Sequence, residues 1–190
     1  MAGRPRSIDR DKVLDAAESL VVTTGASALS FDAVAKAAGI TKGGVQYAFG
    51  TRDKLIRAMI TRWGEAFDAD VAARTGPNPS PSALIQGHLE ATREADEADH
   101  SRSAVMMTAL VQHPDQLSDT QDWYSSRLAG LDLEKHEDRR VALAFLAGEG
   151  AFLLKAFGLI DFNERQWKAL FDDMLSATAS ASSSKAPSEN

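Results

Sequence analysis

The chain has 190 residues, 44% of them apolar, with no cysteine and a formal net charge of −6. That composition supports a sizeable core and excludes a disordered or fibrous chain, while the missing cysteine excludes disulfides, thiolate metal sites and a cysteine nucleophile. The charge is unevenly placed: residues 1–62 carry ten Lys/Arg against six Asp/Glu and residues 63–190 carry eleven against twenty-one, which reads as a basic head and an acidic body.

Met1–Ser7 is a short arm with Arg4 and Arg6 around Pro5. It either reaches a phosphate or a minor groove, or simply keeps the start of the chain solvated. No apolar stretch follows it, so a secretory signal is not expected and the cytoplasm is the expected location. A first helix is expected from about Asp9 to Thr24, with Val13, Leu14, Ala17, Leu20 and Val21 inward and Gly25 at its end. Ser30 stands as an N-cap before Phe31, Val34, Ala35 and Ala38, whose spacing places them on one helical face. Gly39 closes that helix, since a short inter-helix turn calls for positive φ. Thr41 caps the next helix, which Val45 and Phe49 hold inward. Lys42, Gly43, Gly44, Gln46 and Tyr47 are left facing out, as on a recognition helix offered to a DNA major groove.

The run from Ser30 to Leu55, SFDAVAKAAGITKGGVQYAFGTRDKL, resembles the TetR/AcrR family of bacterial transcription regulators. The likeness lies in Ala-Gly-aliphatic-Thr-Lys-Gly, then an aliphatic residue and Tyr, then Phe, then Thr and Arg opening the next helix. It covers residues 9–62; beyond them only length and helical character match. The resemblance implies that Thr41, Lys42, Tyr47 and Arg52 meet phosphates or bases, and the candidate DNA-binding set is Ser30, Thr41, Lys42, Gly43, Gly44, Gln46, Tyr47, Thr51 and Arg52. This chain departs from the common pattern at Gly44, Gln46 and Ala48, so no operator sequence can be carried over.

A fourth helix is expected from Thr51 to about Arg74, a rod of roughly 36 Å carrying Leu55, Ile56, Met59, Ile60, Trp63, Phe67 and Val71 at helical spacing. GPNPSPS at residues 76–82 breaks it. The expected helices that follow run from about Ser82 to Asp99, with Glu90, Arg93, Glu94 and Glu97 as a solvated face, and from about Arg102 to Gln112, stopped near His113-Pro114. Ser118-Asp-Thr-Gln121 reads as a capping box opening a helix with Trp123, Tyr124, Leu128 and Leu131. A long apolar helix spans about Glu137–Gly158, and Asn163-Glu-Arg-Gln166 caps the last one. Glu149 and Lys155 with three glycines inside Val141–Ile160 argue against a membrane span. Ala144, Ala147, Gly148 and Ala151 are small enough for close helix approach, either within the chain or in a four-helix interface with a second copy; the family resemblance favours the homodimer. Ser176–Asn190 reads as a disordered tail.

The expected architecture is therefore all-α: a helix-turn-helix head at 1–50, whose following helix leads to about residue 62, a ligand-binding and dimerisation body at 51–175, and the tail at 176–190. His88, His100, His113 and His136 include no i, i+4 pair, and no phosphate loop or nucleophile elbow occurs, so neither a metal, a cofactor nor catalysis is expected. The expected partners are a palindromic double-stranded operator, a second copy through the two C-terminal helices, and a small lipophilic effector; no membrane is expected. Candidate effector-lining residues are Trp63, Phe67, Met106, Trp123, Tyr124, Glu149 and Phe152. Glu149 sits in the most apolar helix, where a carboxylate needs compensation: it faces an Arg, stays in water at a dimer edge, or lines a cavity as a bare acid that favours a cation. A DNA-binding regulator without a small ligand and an all-helical enzyme are the rival readings.

Overall fold

The computed structural model describes residues 8–25, 28–112 and 117–179, with the side chains of 109–112 and 117 left aside. The arm, the end of the tail and the His113-Pro114 stop lie outside the described residues. Among the described residues the chain is all-α, with nine helices and no strand. They are α1 (Arg10–Thr24), α2 (Phe31–Ala38), α3 (Lys42–Phe49), α4 (Arg52–Thr75), α5 (Pro81–Arg93), α6 (Glu97–Gln112), α7 (Leu117–Leu128), α8 (His136–Ala156) and α9 (Glu164–Ala179).

Two compact units share these helices. The first comprises residues 1–64 and 101–112, the second residues 65–100 and 113–190, so that α4 and α6 each begin in one and end in the other. The first unit is built on Val13, Ala17 and Val21 of α1, Val34 of α2, Val45 and Phe49 of α3, and Leu55 and Met59 of α4, joined by Val105 from α6. Arg62 ties α4 to α1 through Asp15 and Glu18, at 2.9 and 2.6 Å.

In the second unit α5, α8 and α9 pack around Ile85, Leu89, Val141, Phe145, Trp167 and Phe171. The small residues of α8 serve that packing. A Cβ on Gly148 would stand 2.5 Å from Leu89 Cδ2 and 3.7 Å from Phe171 Cε1, so the close approach is made by α5 and α9 of the same chain. Ala144 and Ala151 are buried on this side, whereas Ala147 is exposed on the other.

Four helix ends differ from the sequence reading. The helix expected to reach Asp99 stops at Arg93, and α6 starts at Glu97, because Asp96 and Asp99 cap reciprocally: Asp99 N donates to Asp96 Oδ1 (2.9 Å) and Asp96 N to Asp99 Oδ2 (3.1 Å). Ser118 does not cap α7. Leu117 is already helical and the Ser118 hydroxyl turns to Asp119 instead. At α9 the expected box forms, with Gln166 N to Asn163 Oδ1 at 3.0 Å and Asn163 N to Gln166 Oε1 at 3.1 Å, and the helix runs on to Ala179, past Leu175.

Candidate nucleic-acid interface and body site

The head places α3 through two short constraints. Gly39 adopts the left-handed conformation (φ 67°, ψ 30°), and Ile40 N bonds back to Ala35 O at 3.0 Å, which turns the chain between α2 and α3. Val45 and Phe49 are buried beneath α3. The Arg10 guanidinium lies 4.4 Å over the Phe49 ring and donates to Ala48 O at the helix's C-terminal end. Lys42, Gly43, Gln46 and Tyr47 are exposed, Tyr47 to 86%.

Gly44 is not on that outer face. A Cβ there would meet Ile8 Cδ1 at 3.3 Å and Ile40 Cδ1 at 3.4 Å, so this glycine serves packing inside the head. The hydroxyls of Ser30, Thr41 and Thr51 each cap a helix, accepting from Ala33 N (3.2 Å), Gly44 N (3.1 Å) and Lys54 N (3.2 Å), and all three residues remain exposed. Lys42 pairs with Asp32 at 2.8 Å. Arg52 Nε donates to Leu29 O at 2.8 Å, anchoring the start of α4 to the loop before α2. Sequence reasoning passed over Lys36, Lys54 and Arg57, which are also exposed on α2 and α4; their charge was the available signal.

In the second unit, Glu149 of α8 is held from two sides. Its Oε1 lies 2.8 Å from His88 Nε2 and its Oε2 accepts from Tyr124 Oη at 2.7 Å. A carboxylate only accepts, so His88 donates through Nε2, and its Nδ1 is buried without a partner. Burial, then the Glu149 charge, push the Tyr124 hydroxyl far above its ordinary range. The His88 ring, 1% exposed, stands edge-on to Phe67 (4.9 Å) and Phe145 (5.0 Å), with Trp123 at 5.8 Å. Trp123 Nε1 donates to Asp68 (3.1 Å), which also pairs with buried Arg127, whose guanidinium lies 4.3 Å over the Trp123 ring.

Of the predicted body residues, Phe67, Trp123, Tyr124 and Glu149 thus come together. The bare acid is not found: two donors meet it. Phe152 sits instead beside His100, with ring centroids 4.9 Å apart. Trp63 and Met106 belong to the first unit, where Trp63 packs against the head's core. His88 entered the sequence analysis only among the histidines weighed for a metal, and Asp68, Arg127 and Phe145 were passed over, because nothing local announces pairings across about sixty positions. Among the described residues no three His, Asp or Glu are grouped for a metal, and no helix is long and apolar enough to cross a membrane.

Comparison with known families matches residues 13–59 to the N-terminal pattern described as bacterial regulatory proteins, tetR family, and residues 82–179 to the tetracyclin repressor-like C-terminal domain. The chain belongs to the TetR family. Its helix-turn-helix is accordingly the DNA-binding element of a transcriptional regulator. A comparison with curated protein sequences gives no match. Solved structures share the TetR fold: a putative TetR-family regulator from a Rhodococcus species is similar at TM-score 0.70 and 16% identity, covering 92% of this chain and 98% of its own. The multidrug binding protein EbrR complexed with malachite green is similar at TM-score 0.64 and 20% identity, over 88% and 96% of the two chains. EbrR complexed with imidazole gives 0.63 and 21%, over 91% and 94%.

Proposed function

We propose that this TetR-family protein is a repressor that binds a palindromic operator as a two-fold dimer and is released by a small lipophilic molecule. The observation that carries the DNA-binding half is Tyr47, 86% exposed beside Gln46 on α3. Tyr47 and Arg52 position the head on phosphates, Lys42 and Gln46 reach base edges, and Thr41, Thr51 and Ser30 present their helix ends to the backbone. Gly43 lets α3 approach closely, and Gly44 acts only through packing. One short recognition helix reads few base pairs, so two heads combine on half-sites about one helical turn (~34 Å) or more apart.

The second copy fits the outer face of α8. Leu143, Ala147, Gly150, Leu154 and Phe157 recur at helical spacing there, with Leu143 64% exposed, while the outer face of α9 is mostly charged. The group around Glu149 is the effector end. EbrR, a multidrug binding protein of the same fold, takes malachite green. A lipophilic cation entering among Phe67, Trp123 and Tyr124 takes over the carboxylate that His88 and Tyr124 now hold, which a neutral lipophile cannot do. Release follows from its differential affinity for the free and DNA-bound forms.

Fluorescence anisotropy on a labelled fragment of the protein's own promoter region tests this. Tyr47→Ala should abolish specific binding, Gln46→Ala should change preference among sites, and tetraphenylphosphonium should release the DNA in the wild type but much less in Glu149→Gln. Tetraphenylborate or a neutral lipophile releasing DNA equally well, or a purely monomeric protein binding normally, would sink the effector and dimer parts respectively.

A further inference from the structure

We infer that Asp32 of α2 is a specificity-determining residue for the DNA complex, one that turns Lys42 from a general phosphate contact into a reader of guanine. It rests on the reading above that α3 faces the major groove. Lys42 opens α3, and its Nζ lies 2.8 Å from Asp32 Oδ2 in the first turn of α2, with both side chains well exposed. From Ser30 to Arg57 the exposed charged residues are Lys36, Lys42, Arg52, Lys54, Arg57 and Asp32, while Asp53 is half-buried. The one exposed acid of this basic stretch is therefore the one that meets the lysine of the recognition helix.

By charge alone an acid placed there opposes binding. Non-specific association with a duplex is carried by cations that neutralise phosphates, and each cation withdrawn takes about 0.9 from the salt slope. The dipole of α2 favours an acid in its first turn, yet that preference is met without any contact to α3. Stability does not account for the contact either, because exposed ion pairs contribute little. Its consequence lies in what Lys42 can still bind.

An ammonium has three N–H donors. Asp32 takes one of them and balances the charge, so a phosphate approaching Lys42 meets a neutral pair whose carboxylate repels it. A base edge is uncharged and is not repelled in this way. The remaining donors, held in place by the carboxylate, suit O6 and N7 of guanine, two acceptors side by side in the major groove. Adenine sets an amino donor beside its N7, which would face a donor with a donor. Asp32 thus lowers affinity for DNA in general and spares the site that places guanine under Lys42, as a like charge suppresses wrong partners at other interfaces.

The test uses the full-length protein, a duplex that it selects from a random pool, and an unrelated duplex of the same length, with anisotropy titrations over a range of salt. Selection by the wild type should show guanine at one position in each half-site, and Lys42→Met should lose that preference. Asp32→Asn, an exposed and nearly isosteric change, should tighten the unrelated duplex about threefold or more, with a salt slope steeper by about 0.9. The selected duplex should gain less, so that the ratio between the two falls and the guanine preference weakens; Asp32→Glu should restore both. The inference is overturned if Asp32→Asn tightens both duplexes by the same factor, or if the guanine preference survives either Asp32→Asn or Lys42→Met. A wild type that selects no DNA would remove the reading of the head together with this inference, whereas equal tightening by Asp32→Asn would remove the inference alone.

Discussion

Replacing Tyr124 by Phe removes one oxygen, the donor of a 2.7 Å bond to Glu149 Oε2. A bond of this length to a carboxylate belongs to the charge-assisted class, which contributes roughly 1.5–3 kcal/mol against about 0.5–1.5 kcal/mol for a neutral one. Glu149 keeps His88 on its other oxygen, and its side chain is 14% exposed, so water reaches part of the freed lone pair. The lower end of the range applies, about 1.5–2 kcal/mol, or a fall of roughly 3–8 °C in Tm for a chain of this size. Glu149→Gln leaves one accepting oxygen and puts an NH2 against the other partner, which must then accept instead of donate; both bonds become neutral, and the change should cost about 2–3 kcal/mol. In the Glu149→Gln background the Tyr124 bond is an ordinary one, so removing the hydroxyl there should cost only about 0.5–1 kcal/mol, a coupling of about 1 kcal/mol. Urea unfolding of the four proteins at one fixed protein concentration measures this, with unchanged slopes showing that the unfolded state is not altered. Equal cost of Tyr124→Phe in both backgrounds would mean that the hydroxyl and the carboxylate do not interact, and the reasoning about the Glu149 group would fall with it.

The raised Tyr124 ionisation makes the folded form hold its proton where the unfolded chain gives it up. Its stabilising contribution should be complete below about pH 10 and be lost as pH rises from there, a slope that Tyr124→Phe flattens in alkaline thermal melts. His100 runs the other way: burial, then the Lys155 charge, depress its pKa against the Asp96 backbone and the Glu97 and Asp99 charges, so stability should fall as pH drops below about 6.5, and His100→Phe should remove that part of the acid sensitivity. Gly148→Ala puts a methyl 2.5 Å from Leu89 Cδ2 and should cost about 1–3 kcal/mol. Gly150→Ala, with nothing within 4 Å, should instead gain up to about 1 kcal/mol from helix propensity; calorimetric melts showing the two shifts alike would refute the packing assignment. Thr41→Val keeps the shape of the side chain but removes the cap from a helix that begins with Lys42-Gly-Gly, and should cost about 0.5–2 kcal/mol, with Thr41→Ser restoring it.

The head was legible because its determinants are local. Ser30, Gly39 and Thr41 act within three or four positions of where they stand, and the i, i+4 pair Val45 and Phe49 sits on the face opposite Gln46 and Tyr47. Gly44 was misread because outward and inward positions on α3 differ by one residue, and only the placing of Ile8 and Ile40 decides which side it faces. The gap between α5 and α6 was missed for a similar reason: Asp96 and Asp99 look like any exposed acids until each meets the other's backbone N–H. In the body, the compensation that Glu149 requires was foreseeable from its apolar setting. Which residues supply it was not, since His88 and Tyr124 lie sixty-one and twenty-five positions away. The small residues of α8 left two neighbours open, because spacing does not say whether a closely packed helix belongs to the same chain; the placing of Leu89 and Phe171 decides it for Gly148.

The first unit is made of two pieces of chain. Val105, 4% exposed among the head's apolar side chains, comes from the second piece, residues 101–112. During synthesis the helix-turn-helix therefore leaves the ribosome with a core that is still missing a wall, and it gains that wall only after the long fourth helix and the whole of the fifth have followed. A gene fragment that ends after α4 would encode every residue of the DNA-reading surface and still not a finished domain, so an exchange of heads between relatives has to carry the matching stretch of the sixth helix with it.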